Sequence, residues 1–361
     1  DLPIRRGTNN FDEIRIEFYG DTNVLFEAFK AGEISYLREF NAEKWARDYD
    51  FPAMQDGRVL QSEFADGTPS GITGFVFNTR RPPFDDIRVR DALIHAFNFE
   101  FINETMTGSR QPRITSYFSG SELGMQPGPA DAAVAALLEP FKDEIPEDAL
   151  TGYDLPVADG SARNRGNLRK AMALLKDAGF TIEGGRMMTP DGTPFTFEIL
   201  LRQGSTEQIS IIDLYRDALS RLGIGVKVST VDDAQYELRQ VDFDFDMTHI
   251  RRAFSLSPGN EQRLYWGSEA ADLPGSRNLM GVKSPAIDAM IDAMLAASDE
   301  TAFRDAVRAL DRLLTTGRYV IPIQRFDKSM IAHDAALHHP ERIPIYGDSV
   351  YFLPEVWWMD K

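Results

Sequence analysis

The stretch GFVFNTRRPPFDDIRVRDALIHAFN, residues 74 to 98, decides the fold, because a strand, a turn and a helix follow one another in it without interruption. Phe75, Val76 and Phe77 form a short apolar run of β-prone residues. Pro82 and Pro83 lack backbone donors and push the chain into an extended or turning path, so the strand must stop ahead of them. Asp85 and Asp86 stand where a helix N-cap belongs. Beyond them Val89, Leu93, Ala96 and Phe97 recur at helical spacing, while Arg88, Arg90 and Asp91 fall on other faces. Periodicity alone makes this a strand-helix unit of an α/β domain.

Upstream, Ile14, Ile16 and Phe18 alternate with Arg15 and Glu17, the period of a half-buried strand. Val24, Leu25, Ala28 and Phe29 make one face of a helix that Gly32 is placed to stop. Trp45, Tyr49 and Phe51-Pro52 suggest a short helix and a turn. Val59 and Leu60 lead toward Gly74. Downstream, the region from Thr107 to Asn164 is rich in Pro and Gly and weakly periodic, which reads as ordered loops with one helix near 130 to 142. Leu168, Met172, Leu175 and Ala178 define an amphipathic helix ending at Gly179. MMTPDGTPFTFEILL places an Asp191-Gly192 turn between two strand-like runs. Ile212, Tyr215, Leu219 and Leu222 give a further helix closed by Gly223, and Val226, Val228 and Val231 a strand. Two helices follow, lined by Ile287, Met290, Ile291 and Met294 and by Phe303, Val307, Leu310 and Leu314; the Met-rich face reads as core. Val320-Ile321-Pro322 is a last apolar strand. Such alternation implies an α/β architecture with a mixed sheet.

With 361 residues and 43% hydrophobic content, the chain is long enough for two domains. A net charge of -17 argues against nucleic acid or an anionic membrane surface as partner. The absence of Cys excludes disulfides, thiolate metal sites and a Cys nucleophile within the chain. No apolar run approaches the roughly 18 residues of a transmembrane helix; the run AAVAALLEPF at 132 to 141 is broken by charge and Pro. The first residues hold no charged segment followed by an apolar one, the pattern of a signal peptide.

Little in the sequence points to catalysis, to a cofactor or to a metal. There is no GxSxG elbow, and Gly347-Asp348-Ser349 has no second signature beside it. His333, His338 and His339 sit in a polar, Pro-flanked segment without helical ligand spacing. Asp85-Asp86 and Asp232-Asp233 are adjacent pairs whose side chains diverge, and capping explains them better than acid-base work. No G-x-G-x-x-G or Walker-type loop occurs. The stretch from His249 to Asn278 differs in kind. After the strand-like DFDMTHI it loses periodicity and gathers Arg251, Arg252, Ser255, Ser257, Asn260, Gln262, Tyr265, Trp266, Arg277 and Asn278. A long polar connection at a strand end is where an α/β lobe places ligand contacts, and equally where a solvated loop would balance an acidic surface. Its chemistry suits a peptide: Ser and Asn for amides, Arg for a carboxylate, Tyr or Trp to cover a side chain.

The pattern N-T-x-x-P-P-F-x-D-x-R-V-R-x-A-L-x-x-A-F resembles the peptide/nickel-type solute-binding proteins of ABC importers, extracellular solute-binding protein family 5. YDFPAMQDGRV (49 to 59), DFDMT (244 to 248), LSPGNEQ (256 to 262) and GSRNL (275 to 279) look most like its oligopeptide and microcin C-binding branch. The resemblance implies a two-lobed, hinged α/β protein of the periplasmic-binding-protein type (class II, peptide-binding) with mixed sheets. Residues 1 to 72 would form part of lobe I, 73 to 322 lobe II, and 323 to 361 the return to lobe I. Family members begin with a signal peptide and a longer first-lobe segment, so the chain is expected to be a C-terminal portion of a precursor, with lobe I incomplete. It further implies a periplasmic protein of a Gram-negative bacterium, a monomer when complete, with no covalent chemistry. Its role would be to hold oligopeptides in an inter-lobe cleft and deliver them to a permease and its ATPase. The ligand contacts implied are Asn78, His249, Arg251, Arg252, Ser255, Ser257, Asn260, Tyr265, Trp266, Arg277 and Asn278. Many peptide binders of the family carry in this loop an Asp for the ligand's α-amino group; the matching position, Phe254 or Ser255, has no carboxylate. Arg251 and Arg252 suggest instead a ligand that is partly anionic. The alternatives are a binder of a nickel chelate or glycan, a peptide hydrolase, or a chaperone-like interaction module.

Overall fold

The computed structural model describes residues 5–20, 22–325, 327–348 and 355–360. They fall into two compact units, Asp1–Thr68 with Phe326–Lys361, and Pro69–Arg325.

In the larger unit a five-stranded mixed sheet runs in the order Gly225–Val231, Thr196–Arg202, Met247–Arg252, Ile72–Phe77, Val320–Pro322. The first three strands are parallel to one another, and Ile72–Phe77 is antiparallel to both its neighbours. Successive strand residues face opposite sides, and both sides are covered. Phe75, Phe77, Ile199, Leu201 and Met247 pack beneath helices that include Ile87–Ala96, Arg165–Asp177 and Thr206–Arg221. Val76, Leu200 and Ile250 pack on the other side with Pro285–Ala296 and Glu300–Thr316. These layers are why the strands read as nearly continuous apolar runs.

The opening motif folds as its residues dictate. The Asp86 side chain accepts from the backbone N–H of Arg88 and so caps Ile87–Ala96, while Val89, Leu93, Ala96 and Phe97 are buried. Arg90 departs from the helical-face reading. It is buried, and its guanidinium donates to the carbonyls of Phe84, Asp85 and Gly317. The Asp191-Gly192 turn forms, but it closes only a single bridge, Met188 to Pro194. The hairpin ladder joins Thr181–Glu183 to Arg186–Met188 through Gly184 and Gly185. Both glycines have positive φ, 55° and 78°, as a two-residue hairpin turn of this hand requires.

The loops between Thr107 and Asn164 are held by two neighbouring side chains of one helix. Asp311 is fully buried and accepts from Ser116 Oγ at 2.6 Å, Met125 N at 2.8 Å and Phe118 N at 3.2 Å. Arg312 beside it donates to the carbonyls of Gln126, Gly128 and Ala149. Burial pushes the Asp311 carboxyl up to about 6 against the pull of those donors.

The smaller unit contains a three-stranded antiparallel sheet with Lys328–Asp334 between Tyr36–Glu39 and Val59–Ala65. Phe26, Phe29, Trp45, Tyr49 and Phe51 pack with Met330 and Ala332 of that central strand, and Trp357 packs with Phe64, Ile331 and Leu337. The alternating run at 14 to 18 is not a strand: it has no ladder partner among the described residues, and Ile14, Ile16 and Phe18 are exposed. Alternation favours a strand only where a partner and a covered face exist. Asp348, the middle of the Gly-Asp-Ser triplet, is buried and receives Arg38 and Tyr36; Ser349 lies outside the described residues. His333 bonds Ser62 and the carbonyl of Asp334, and His338 meets Asp360.

Replacing Asp311 by Ala would leave two backbone N–H groups and a hydroxyl buried without an acceptor. We expect a loss of about 3 kcal/mol in denaturant unfolding with the sheet retained by circular dichroism. A change below about 0.5 kcal/mol would mean the loop is anchored elsewhere.

Candidate functional site

The Met247–Arg252 strand pairs with Ile72–Phe77 along its whole length, from Met247 to Arg252. With its parallel neighbour Thr196–Arg202 it pairs only at Ile199 to Met247 and Leu200 to Thr248. Past Thr248 the two strands part, and the edge of His249–Arg252 on that side has no ladder partner among the described residues. A cavity of about 680 Å³ opens in the fork. It lies at the carboxyl ends of parallel strands, beside the strand where the sheet changes direction, the usual position of a site in an α/β sheet.

Five segments of the larger unit wall it. Leu201 and Arg202 end one strand and His249 to Arg252 the other; Tyr236, Glu237, Gln240 and Val241 come from the helix Asp233–Val241. Tyr265 and the turn through Gly275, Ser276 and Arg277 close the remaining side. Asp232 caps the 233–241 helix by accepting from Gln235 N. At the base, the Tyr236 hydroxyl pairs with Thr248 Oγ1 at 2.9 Å and takes a bond from Gln240 Nε2 at 2.9 Å. Gly71 lets the chain pass close to the end of the strand: at φ +64° a Cβ there would stand 2.2 Å from the Arg252 carbonyl.

Electrostatically the cavity is the reverse of the protein. In a chain of net charge -17 it is lined by four arginines and one carboxylate. That carboxylate, Glu237, pairs with Arg202, which also meets Asp233 at 2.9 Å and lies over the Tyr236 ring. No ion pair to Arg251, Arg252 or Arg277 occurs among the described residues. The Arg252 guanidinium lies 3.9 Å from the Tyr265 ring centroid and 5.1 Å from that of Trp266, and donates through Nη2 to the Arg277 carbonyl at 3.0 Å. Its Nη1 is buried with no hydrogen-bond partner among the described residues, as is Nε2 of His249. Burial, helped by the nearby Arg277 charge, lowers the Arg252 guanidinium to about 10, so it is charged at neutral pH. Burial, then the charge of Arg251, lowers the His249 imidazole to about 4 and keeps it neutral.

Of the residues expected to contact ligand, His249, Arg251, Arg252, Tyr265 and Arg277 line the cavity. Asn78, Trp266 and Asn278 do not; all three are fully buried with committed side chains. Asn78 donates to the carbonyls of Phe243 and Phe245 and accepts from Arg80 Nη1. Asn278 donates to the carbonyls of Gly267 and Val282 and accepts from Val282 N. Trp266 donates through its indole N–H to Gln262 at 2.7 Å. Direct contact by these three is thereby corrected: they shape the wall from behind. Ser255, Ser257 and Asn260 lie on the exposed loop outside the lining. Phe254 stacks on Phe118 with ring centroids 4.9 Å apart, which anchors that loop.

Sequence reasoning missed Arg80. It donates to the carbonyls of Ala271, Asn278 and Leu279 and lies 3.7 Å over the Phe243 ring, so it fixes the turn carrying Arg277. Arg202 and Tyr236 were missed as well; the end of an apolar run just ahead of Gly204 was the signal available for the first.

Fold and cavity together define a class, an α/β protein with an open cavity at the end of its sheet. The chain belongs to the bacterial extracellular solute-binding proteins, family 5: the model of that family's middle region matches residues 5–272. A protein of Brucella melitensis named "Putative binding protein BMEII0691" is 46% identical over 359 residues, an alignment covering 99% of this chain and 58% of that one. A protein of Agrobacterium fabrum named "Probable peptide-binding protein YejA" is 39% identical over 365 residues, covering 100% and 58%. The chain thus spans a little over half the length of these curated relatives. Among solved structures, the oligopeptide-binding protein AppA of Bacillus subtilis in complex with a nonapeptide superposes with a TM-score of 0.68 at 17% identity, over 94% of this chain and 59% of that one. That likeness carries the fold. No helix among the described residues is long and apolar enough to cross a membrane.

The imidazole of His249 gives a pH signature. An unfolded chain takes up a proton below about 6.5 whereas the folded one resists until about 4, so the stability from this group is present at neutral pH and drains away as pH falls through that window. Unfolding free energy measured from pH 7 to pH 4 should lose about 2 kcal/mol more in the wild type than in His249→Gln. Equal slopes would show the imidazole to be solvated.

Proposed function

We propose that this chain is the solute-capturing part of an ABC importer, and that its solutes are oligopeptides or peptide-like compounds held in the cavity at the fork of the sheet. The observation that carries the reading is the fork itself: a strand edge, His249–Arg252, without a ladder partner and facing a cavity of about 680 Å³. An extended ligand main chain can pair with such an edge, which gives affinity that does not depend on side-chain identity. Tyr265 and Tyr236 offer flat surfaces beside it, and the arginines offer donors for a carboxylate. The name of the Agrobacterium relative and the family itself support the reading.

In this reading the protein does no covalent chemistry. It works in the periplasm and hands its solute to a membrane permease driven by an ATPase. A second reading, a non-peptide acid as solute, is favoured by the four arginines of the lining.

Calorimetric titration with a defined set of short peptides, followed by mass spectrometry of the recovered peptides, tests both claims. We expect saturable binding and recovery of every peptide intact. Arg251→Ala combined with Arg252→Ala should weaken binding by about 10-fold or more. Shortened peptides would make the protein a hydrolase, and unchanged affinity in the double variant would move the site away from this cavity.

A further inference from the structure

The charge of the cavity bears on the charge of the solute it would take. Three arginines, Arg251, Arg252 and Arg277, line one cavity without a carboxylate partner among the described residues. The chain does not lack carboxylates: it has 56 Asp and Glu against 39 Lys and Arg. Several arginines elsewhere in the larger unit are paired, Arg81 with Asp244 and Asp246, Arg239 with Glu198 and Asp244, Arg318 with Asp91 and Asp148, and others, Arg90 and Arg312, are spent on main-chain carbonyls. Arg202, on the opposite wall of the same cavity, has two carboxylates to itself.

Two of these unpaired charges, those of Arg252 and Arg277, act on one another. Arg277 contributes to the lowering of Arg252, and Arg251 to the lowering of His249. Like charges held together in a partly desolvated site destabilise the folded chain unless an opposite charge arrives. Arg252 is built for that arrival. Its plane is fixed by the Tyr265 ring and by its bond to the Arg277 carbonyl, and Nη1 remains buried and bare. A guanidinium held rigid loses little freedom when a carboxylate docks on it. Arg251 and Arg277 are exposed, which suits a second acidic group nearer the mouth. His249 stays neutral, so it can donate from Nε2 without adding charge to the cluster.

Resting on the reading of this cavity as the solute site, we infer that it selects acidic solutes: peptide-like ligands carrying two or more carboxylates, one seated against Arg252 and another between Arg251 and Arg277. Neutral peptides with a single terminal carboxylate are poor ligands by comparison.

The test is a calorimetric titration of the full chain with three probes, Ala-Ala-Ala, Ala-Glu-Glu, and tricarballylate as an acid with no peptide bond. We expect Ala-Glu-Glu to bind about 10-fold or more tightly than Ala-Ala-Ala, with an advantage that shrinks as salt is raised. Arg252→Gln should abolish the advantage. Because Arg252 also braces the Arg277 segment, Arg251→Gln and Arg277→Gln, both exposed, provide variants that keep the wall intact; each should remove part of the preference. Equal affinity for the two peptides, or a preference unchanged in all three variants, overturns the inference while leaving peptide capture standing. Tight binding of tricarballylate with no binding of either peptide upholds the acidic preference and overturns the peptide reading instead. Absence of binding by all three probes overturns both.

Discussion

The parting of two parallel strands after Thr248 is the constraint on which the larger unit's chemistry depends. A strand whose two edges are both paired is sealed, since its donors and acceptors are committed and its side chains lie in the two cores. Here the pairing with Ile72–Phe77 continues to Arg252 while the pairing with Thr196–Arg202 stops after Leu200. The strand is therefore rigid along one edge and open along the other. Residues 249 to 252 inherit the precision of a central strand and the accessibility of an edge, a combination that a loop alone does not supply.

Rigidity also comes from behind the cavity wall. Arg80 reaches from the turn after one strand to three carbonyls of the segment before Gly281, and Asn78 and Asn278 complete the mesh. Apart from the Arg80–Asn78 contact these bonds run to main-chain oxygens, so they hold the path of the backbone and leave the outward side chains of that segment free to face solvent or ligand. Arg252 is steadied the same way, by an aromatic face and a carbonyl, which keeps its charge uncancelled. An ion pair would have fixed it equally well and neutralised it.

The strand-helix unit at 74 to 98, the cap at Asp86 and the helices closed by Gly179 and Gly223 were all legible in the sequence, because each rests on local chemistry. What was not legible depends on partners far away along the chain. The run at 14 to 18 alternates as a strand should, yet alternation carries no information about whether a neighbour exists to pair with. Arg90 sits off the apolar stripe of its helix and is nevertheless buried, because three carbonyls from other segments converge on it. Within the connection after Ile250, composition could not sort Asn278 and Trp266, which face inward, from Arg277 and Tyr265, which line the cavity. Residue type was the same kind of signal for both sets, and only the course of the backbone separates them.

The side-by-side pair Asp311 and Arg312 carries one more implication. A carboxylate and a guanidinium, adjacent on one helix, grip the segment from Ser116 to Ala149 at six atoms, five of which are main-chain atoms. Main-chain atoms are present whatever side chain a position bears. Over evolutionary time that long connection is thus free to change its residues extensively while keeping its shape, and the record of its importance would be written in two positions of a distant helix rather than in the connection itself.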